Sequence, residues 1–190
     1  VEPHFLYTAL ASAQLLTTSD PPRAEAMLGH LIQYLRRSLP SAEEEMSTLG
    51  AELERALAYL EILKIRMGDR LQVQVDIAES LRATPLPAMM LQTLVENAIK
   101  HGLEPRTGGG TVWIRARADD AGVAVTVADD GEGFTGKTSG TGIGLKNVRE
   151  RLRLRYGGDA NLSVVANFPA GVAATITVPA QAPSRSAAHG

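Results

Sequence analysis

Lys64-Ile65-Arg66-Met67-Gly68-Asp69-Arg70-Leu71-Gln72-Val73-Gln74-Val75-Asp76-Ile77, residues 64–77, contains the point at which the periodicity of this chain changes. Ahead of Gly68, the residues Leu49, Leu53, Ala56, Leu60, Leu63 and Met67 recur at alternating spacings of four and three, the seam of a helix that packs on another helix. Behind it, Leu71, Val73, Val75 and Ile77 alternate with polar partners, the pattern of a half-buried strand. A chain that switches from one period to the other at a Gly-Asp pair is expected to be helical first and sheet-forming afterwards.

Reading toward the N-terminus, Ala24, Leu28, Leu31 and Leu35 make a second seam, bounded in front by Asp20-Pro21-Pro22 and behind by Pro40. Two such seams pack on each other and on copies from a second chain, so a helical bundle that dimerises is expected over residues 1–68. Reading the other way, Val112, Ile114 and Ala116, then Val123, Val125 and Val127, alternate as strands, with further strands near 160–167 and 171–178. Helical stretches interrupt them at about 87–101 and 143–156. The expected fold class is α+β: a helical segment followed, over 69–179, by a sandwich with a mixed sheet and helices on one face. The tail 180–190 lacks apolar periodicity and is expected to be disordered, with His189 inert.

Composition narrows the function. The chain has 190 residues, 44% of them hydrophobic, and no apolar run near the roughly 18 residues of a membrane span. A formal net charge of -2 supplies no global attraction to nucleic acid, although Arg149, Arg151, Arg153 and Arg155 form one local basic run. With no cysteine there are no disulfides and no thiolate metal sites. The opening Val1-Glu2-Pro3 is expected to belong to a fragment of a longer protein.

Three segments carry the chemistry: Leu94-Val95-Glu96-Asn97-Ala98-Ile99-Lys100-His101-Gly102, Asp129-Asp130-Gly131-Glu132-Gly133 and Gly140-Thr141-Gly142-Ile143-Gly144. On a helix, Leu91, Leu94, Val95, Ala98 and Ile99 gather on one side, and Glu96, Asn97, Lys100 and His101 fall across the other. Asn97 is a poor helix former with no capping role here, while its carbonyl is a hard oxygen ligand suited to Mg²⁺ and Lys100 is a point charge suited to phosphate. Asp129 continues the row of Val123, Val125 and Val127, so its carboxylate is expected to point inward, where it needs a donor. The exocyclic amine of adenine is such a donor. Asp130 points the other way and is expected at the surface or in a turn.

Gly131 and Gly133 allow a sharp turn beside a ligand. Gly140, Gly142 and Gly144 run into a helix whose apolar side begins at Leu145, presenting free N–H groups to an anion. Lys137, Thr138, Ser139 and Thr141 are expected to form a lid over the phosphates. In this order the segments describe an ATP site with Mg²⁺.

With Pro3-His4-Phe5 in front, the three segments resemble the N, G1 and G2 boxes of the GHKL ATPases, and the chain from Pro3 to about Pro179 resembles a sensor histidine kinase of the LytS-like subfamily. Phe5-Leu6-Tyr7, Arg36, Tyr59-Leu60-Glu61 and Arg66 match framework positions of that family. The resemblance implies a GHKL (Bergerat) fold, Mg²⁺ on Asn97, adenine on Asp129, and a dimer that passes phosphate to a response regulator. It further implies a LytTR-type regulator, membrane-spanning sensor helices upstream, and a cytoplasmic place for this part of an inner-membrane-anchored sensor.

Of four histidines, His4 alone has an acceptor's position: on a helix with Leu6, Leu10 and Ala13 as the apolar stripe, it lies opposite, with Thr8 one turn along. The chemistry needs a neutral imidazole to attack the γ-phosphorus. Most histidine kinases carry an acid directly after the histidine; here that residue is Phe5, leaving Glu2, Glu96 or a water to orient the ring. Where the family commonly has Asn, this chain has Thr8 and Ala11. Thr at that offset positions water for dephosphorylating the regulator in other histidine kinases. The alternatives are a degenerate kinase acting as a nucleotide-binding dimer scaffold, or another GHKL ATPase or serine kinase.

Overall fold

The computed structural model describes residues 3–38, 46–133 and 142–180. Helix α1 (Pro3–Ser19) is joined by Asp20 alone to α2 (Pro21–Ser38). Asp20 caps α2: its Oδ1 accepts the Arg23 N–H at 3.2 Å, and Pro21, whose missing N–H would have had no helical partner, stands at the first position. Strand β1 (Met46–Thr48) leads into α3 (Leu49–Met67), where the Thr48 hydroxyl accepts the Ala51 N–H at 3.2 Å. Gly68, at φ 62°, ends α3 in a conformation that side chains disfavour, which is why the helical period stops there.

The rest of the chain runs β2 (Leu71–Asp76), β3 (Pro85–Pro87), α4 (Met90–Asn97) continuing as a π-helical turn over Ala98–Leu103, β4 (Gly110–Asp119), β5 (Gly122–Asp129), α5 (Ile143–Tyr156), β6 (Asn161–Ala166) and β7 (Val172–Val178). Five strands form a mixed sheet in the order β2-β4-β5-β7-β6, parallel only between β2 and β4. Its buried face carries Leu71, Val112, Ile114, Val125, Val127, Ile176 and Val178, under Leu91, Leu94, Leu145, Val148 and Leu152 of α4 and α5. The α+β class, the mixed sheet and the five long strands agree with the sequence. The short pair β1–β3, with Thr48 opposite Pro85, does not follow from it; three residues with prolines carry no readable alternation, and β1 interrupts a stretch expected to be wholly helical. Val75 also differs: β2 is an edge strand that runs off the core, leaving it 42% exposed.

The helical seams need correction. All six seam residues of α3 are buried, but so are Ala58, Tyr59 and Ile62, because α3 lies between α2 on one side and α4 with β2 on the other. Its seam therefore serves this chain's own core. In α2 the buried row is Ala24, Met27, Leu31 and Tyr34, while Leu28 is partly exposed. In α1 it is Phe5, Ala9 and Ala13, and Leu10 is 47% exposed. In α1 and α2, Ala13, Ala24 and Leu31 are buried as expected, but the rest of the buried row is shifted about one residue, since the aromatic residues Phe5, Tyr34 and Tyr59 fill the space between the helices first. Phe5 packs against Tyr34 at 5.4 Å and Tyr59 at 4.8 Å between ring centroids. Burial of that ring contributes about 2–3 kcal/mol and seats the first turn of α1 on α2 and α3.

Glu52 is a buried charge in this core. Its carboxylate meets Arg55 Nη1 at 2.5 Å and faces the amides of Met89 and Leu91 at the start of α4 and the Ser47 hydroxyl. Burial raises its pKa, and Arg55 opposes the rise. The positive end of α4 is thereby tied to α3.

Candidate nucleotide and phosphoacceptor site

Asp129 ends β5 opposite Val112 with its side chain on the buried face, 3% exposed, as the alternation requires. Its Oδ1 accepts the Gly131 N–H at 2.8 Å. Burial pushes its carboxyl pKa up, the amides of Gly131 and Val172 pull it back, and neighbouring Asp130 adds to the rise. Asp130 is half-buried and accepts the Thr111 N–H at 2.8 Å, a tie between β4 and the turn rather than a free surface residue.

Three glycines from distant segments wall the Asp129 carboxylate. A Cβ on Gly102 would lie 2.6 Å from Oδ1, one on Gly171 would lie 2.8 Å from the same oxygen, and one on Gly131 would overlap the Gly102 backbone. Asn167 Nδ2 donates to the Asp129 carbonyl at 2.9 Å, so the β6–β7 turn closes the far side. Sequence reasoning missed Gly171, at φ 95°, and Asn167: they are far from the motif and their part depends on β7 lying beside β5. Gly102 closes the first motif, and its place in that motif was the readable hint. Gly102→Ala is expected to displace the Asp129 carboxylate and weaken ATP binding at least about tenfold, some 1.4 kcal/mol, as measured by calorimetry.

On α4, Leu91, Leu94, Val95, Ala98 and Ile99 are buried, Glu96, Asn97 and His101 are half-buried, and Lys100 is exposed. Asn97's carboxamide makes no hydrogen bond to another described residue, so its oxygen is available to a cation. No group of three or more His, Cys, Asp or Glu that suits a metal occurs among the described residues. A single amide oxygen is compatible with Mg²⁺, which takes one or two protein ligands and completes its shell with phosphate oxygens and water. Glu96 Oε1 accepts from Gln92 Nε2 at 3.1 Å. Of the glycine loop, Gly142 and Gly144 are described: Gly144 stands at the start of α5, its Cβ direction 3.2 Å from Thr93 Cγ2 on α4, one turn before Asn97. Leu145, on the first turn of α5, is buried in the core. Gly133, at φ 75°, makes the expected turn. Gly140, Thr141 and the lid residues Lys137, Thr138 and Ser139 lie outside the described residues, as do residues 181–190 with His189.

His4 is exposed in the first turn of α1, and Thr8 Oγ1 donates to its carbonyl at 2.8 Å, which keeps both on one face. Because Phe5 is held in the core, its neighbour is directed outward. His4 borders a cleft of about 310 Å³ whose other walls are Arg66, Met67, Arg70 and Glu104. Among the described residues, neither Glu96 nor Asp129 lines it, and Glu2 lies outside the described residues. The sequence did not point to Glu104 or Arg70, since nothing in their spacing relates them to His4.

Residues 84–182 match the family described as histidine kinase-, DNA gyrase B-, and HSP90-like ATPase, and residues 1–71 match the histidine kinase family. The chain therefore belongs to the histidine kinase-, DNA gyrase B-, and HSP90-like ATPase family, in its histidine kinase branch. Among its relatives, the sensor histidine kinase BtsS of Escherichia coli (strain K12) is 37% identical over 164 residues, 86% of this chain and 29% of the relative. The sensor protein LytS of Oceanobacillus iheyensis is 32% identical over 178 residues, 86% of this chain and 30% of the relative. The chain thus spans about a third of the length of the curated relatives it matches. Among solved structures, the catalytic domain of histidine kinase ThkA superposes with a TM-score of 0.53 at 14% identity, over 70% of this chain and 94% of that one. The blue-light activated histidine kinase of Erythrobacter litoralis EL346 gives 0.51 at 20% identity, over 94% of this chain and 63% of that one. At these identities the two share the fold.

Proposed function

We propose that this chain is the catalytic core of a sensor protein-histidine kinase that binds Mg-ATP, phosphorylates His4 and passes the group to an aspartate of a response regulator. One observation carries the reading: a buried carboxylate walled by glycines and an exposed histidine, pinned by its buried neighbour Phe5, occur in one chain. Residues 1–68 would serve as the dimerisation and phosphoacceptor region and 69–179 as the ATP-binding domain. Asp129 receives the adenine amine, with Gly131 holding its carboxylate; Asn97 holds Mg²⁺; Lys100, His101 and the amides of Gly133, Gly140, Thr141, Gly142 and Gly144 are assigned to the phosphates, with Leu145 beneath them; and Glu96 is the acid at the nucleotide end. When bound, the ion offsets charge on the phosphates. The neutral His4 imidazole attacks the γ-phosphorus while these donors hold the leaving diphosphate in line.

Support for a homodimer lies on α1 and α2, where Tyr7, Leu10, Leu15, Leu28 and Ile32 are exposed. An apolar groove of about 480 Å³ runs along Pro21, Ala24, Leu28 and Ile32. A LytTR-type regulator and an inner-membrane anchor upstream, with this part in the cytoplasm, belong to the same proposal and rest on the resemblance to LytS-like sensor kinases. No helix among the described residues is long and apolar enough to cross a membrane.

The test is incubation of the full chain with γ-labelled ATP and Mg²⁺, with subsequent mapping of the label. Acid-labile, base-stable phosphate on His4 is the expected result, and phosphoserine or no label would overturn the assignment. Thr8 is proposed to assist the regulator's dephosphorylation. In Thr8→Ala, label on His4 should form at the wild-type rate while decay of the phosphorylated regulator slows; equal decay with both proteins would remove Thr8 from that role.

A further inference from the structure

In the proposed phosphorylation of His4, the imidazole enters carrying one N–H. As the other ring nitrogen forms its bond to phosphorus and the bond from phosphorus to the bridging oxygen of ADP breaks, that proton must leave or the product is a phosphorylated imidazolium. A carboxylate beside the N–H fixes the tautomer before attack and takes the proton during it. The residue after His4 cannot supply it, because Phe5 carries a hydrocarbon ring, here packed against Tyr34 and Tyr59.

We infer that Glu104 is the group that orients the His4 imidazole and receives its proton. This rests on the function proposed above and adds a residue to the same site. Among the described residues, Glu104 is the one carboxylate lining the His4 cleft, together with Arg66, Met67 and Arg70. Arg66 Nη2 bonds Oε1 of Glu104 at 2.9 Å, which fixes the carboxylate; Oε2 is the oxygen assigned to the imidazole. Arg70 is itself anchored, its Nη1 donating to the Thr107 carbonyl at 3.2 Å and its Nε to that of Met67 at 3.3 Å. As stability devices these contacts are weak, since an exposed ion pair is worth only about 0–1 kcal/mol. As a constellation they are complete: nucleophile, acceptor, and a cation that holds the acceptor, with a second guanidinium lining the same cleft.

The local backbone explains how Glu104 comes to be there. The π-helical turn over Ala98–Leu103 closes with the Glu104 N–H on the Ile99 carbonyl at 2.8 Å. The wider turn re-aims the residues beyond the Asn97–His101 face, Glu104 among them, and such turns occur often at functional sites. On the other side, the positive φ of Gly68 turns the chain so that Arg66 and Arg70 line the same wall. One continuous helix–turn segment thus carries nucleotide residues at one end and the histidine's partner at the other.

The test uses the full chain with Mg-ATP, comparing Glu104→Gln and Glu104→Asp with wild type. At saturating ATP the initial rate of His4 phosphorylation should fall about 10²-fold in Glu104→Gln, with ATP affinity unchanged, and recover in part in Glu104→Asp. In ¹⁵N-histidine-labelled protein the single His4 tautomer of wild type should give way to a mixture in Glu104→Gln. A rate within twofold of wild type with the same tautomer would overturn the inference. So would a loss of rate that tracks weaker ATP binding with the tautomer unchanged, which would place Glu104 in the nucleotide site. The tautomer measurement needs no nucleotide, so it reads Glu104 even if wild type takes no label, a result that would count against the proposed function instead.

Discussion

Replacing His4 by glutamine is expected to eliminate acid-labile, base-stable label from the chain while leaving ATP binding as it was. Glutamine is close to imidazole in polarity, but its amide nitrogen has its lone pair delocalised and is no nucleophile at phosphorus. His4 is exposed, and the anchor of the first turn is Phe5, so the substitution removes the acceptor without disturbing the packing of α1 on α2 and α3. Phosphorimaging after alkaline and acid treatment measures the first effect and calorimetry the second. Label persisting in His4→Gln would move the acceptor to His30 or His101, both half-buried.

Asp129→Asn should separate function from stability. For nucleotide, the variant puts an amide where a carboxylate accepted the adenine amine. Loss of a charge-assisted hydrogen bond, about 1.5–3 kcal/mol, corresponds to roughly 10- to 10²-fold weaker ATP binding. For the apo protein the sign is opposite. Burial holds the Asp129 carboxyl above its ordinary value of 3.8, so the folded chain binds that proton more tightly than the unfolded chain does. The associated stability is present in full below pH 3.8 and is lost as pH rises through the elevated folded value. Asparagine carries no such charge. The variant should therefore resist urea better than wild type at neutral pH, with the difference disappearing below pH 3.8. Normal ATP affinity together with unchanged stability would show that this carboxylate is not the buried, base-reading group described above.

Both expectations rest on features that could be read from the chain to different depths. Asp129 was legible because alternation along β5 is a local property: Val123, Val125 and Val127 point inward, and two residues on the carboxylate must too. The polar side of α4, with Glu96, Asn97 and Lys100 outside the core, was legible for the same reason. The rows of α1 and α2 were legible in part: Ala13, Ala24 and Leu31 are buried as expected, but the ring volumes of Phe5, Tyr34 and Tyr59 turn Leu10 and Leu28 outward. The glycine wall was half legible. Gly102 and Gly131 belong to visible motifs, whereas Gly171 reaches Asp129 only because β7 pairs with β5.

Periodicity, capping and alternation act over a few residues, so the sequence by itself determined where helices give way to strands, that Asp129 points inward, and that His4 stands free at the head of a helix. What meets across the chain was decided by the tertiary structure alone. The Asn167–Gly171 turn closes on Asp129, and Glu104 joins His4 about a hundred residues earlier. The reason is physical: such encounters depend on strand order, on the extra residue of a π-helical turn and on how aromatic rings set the rotation of helices, none of which leaves a mark in local spacing.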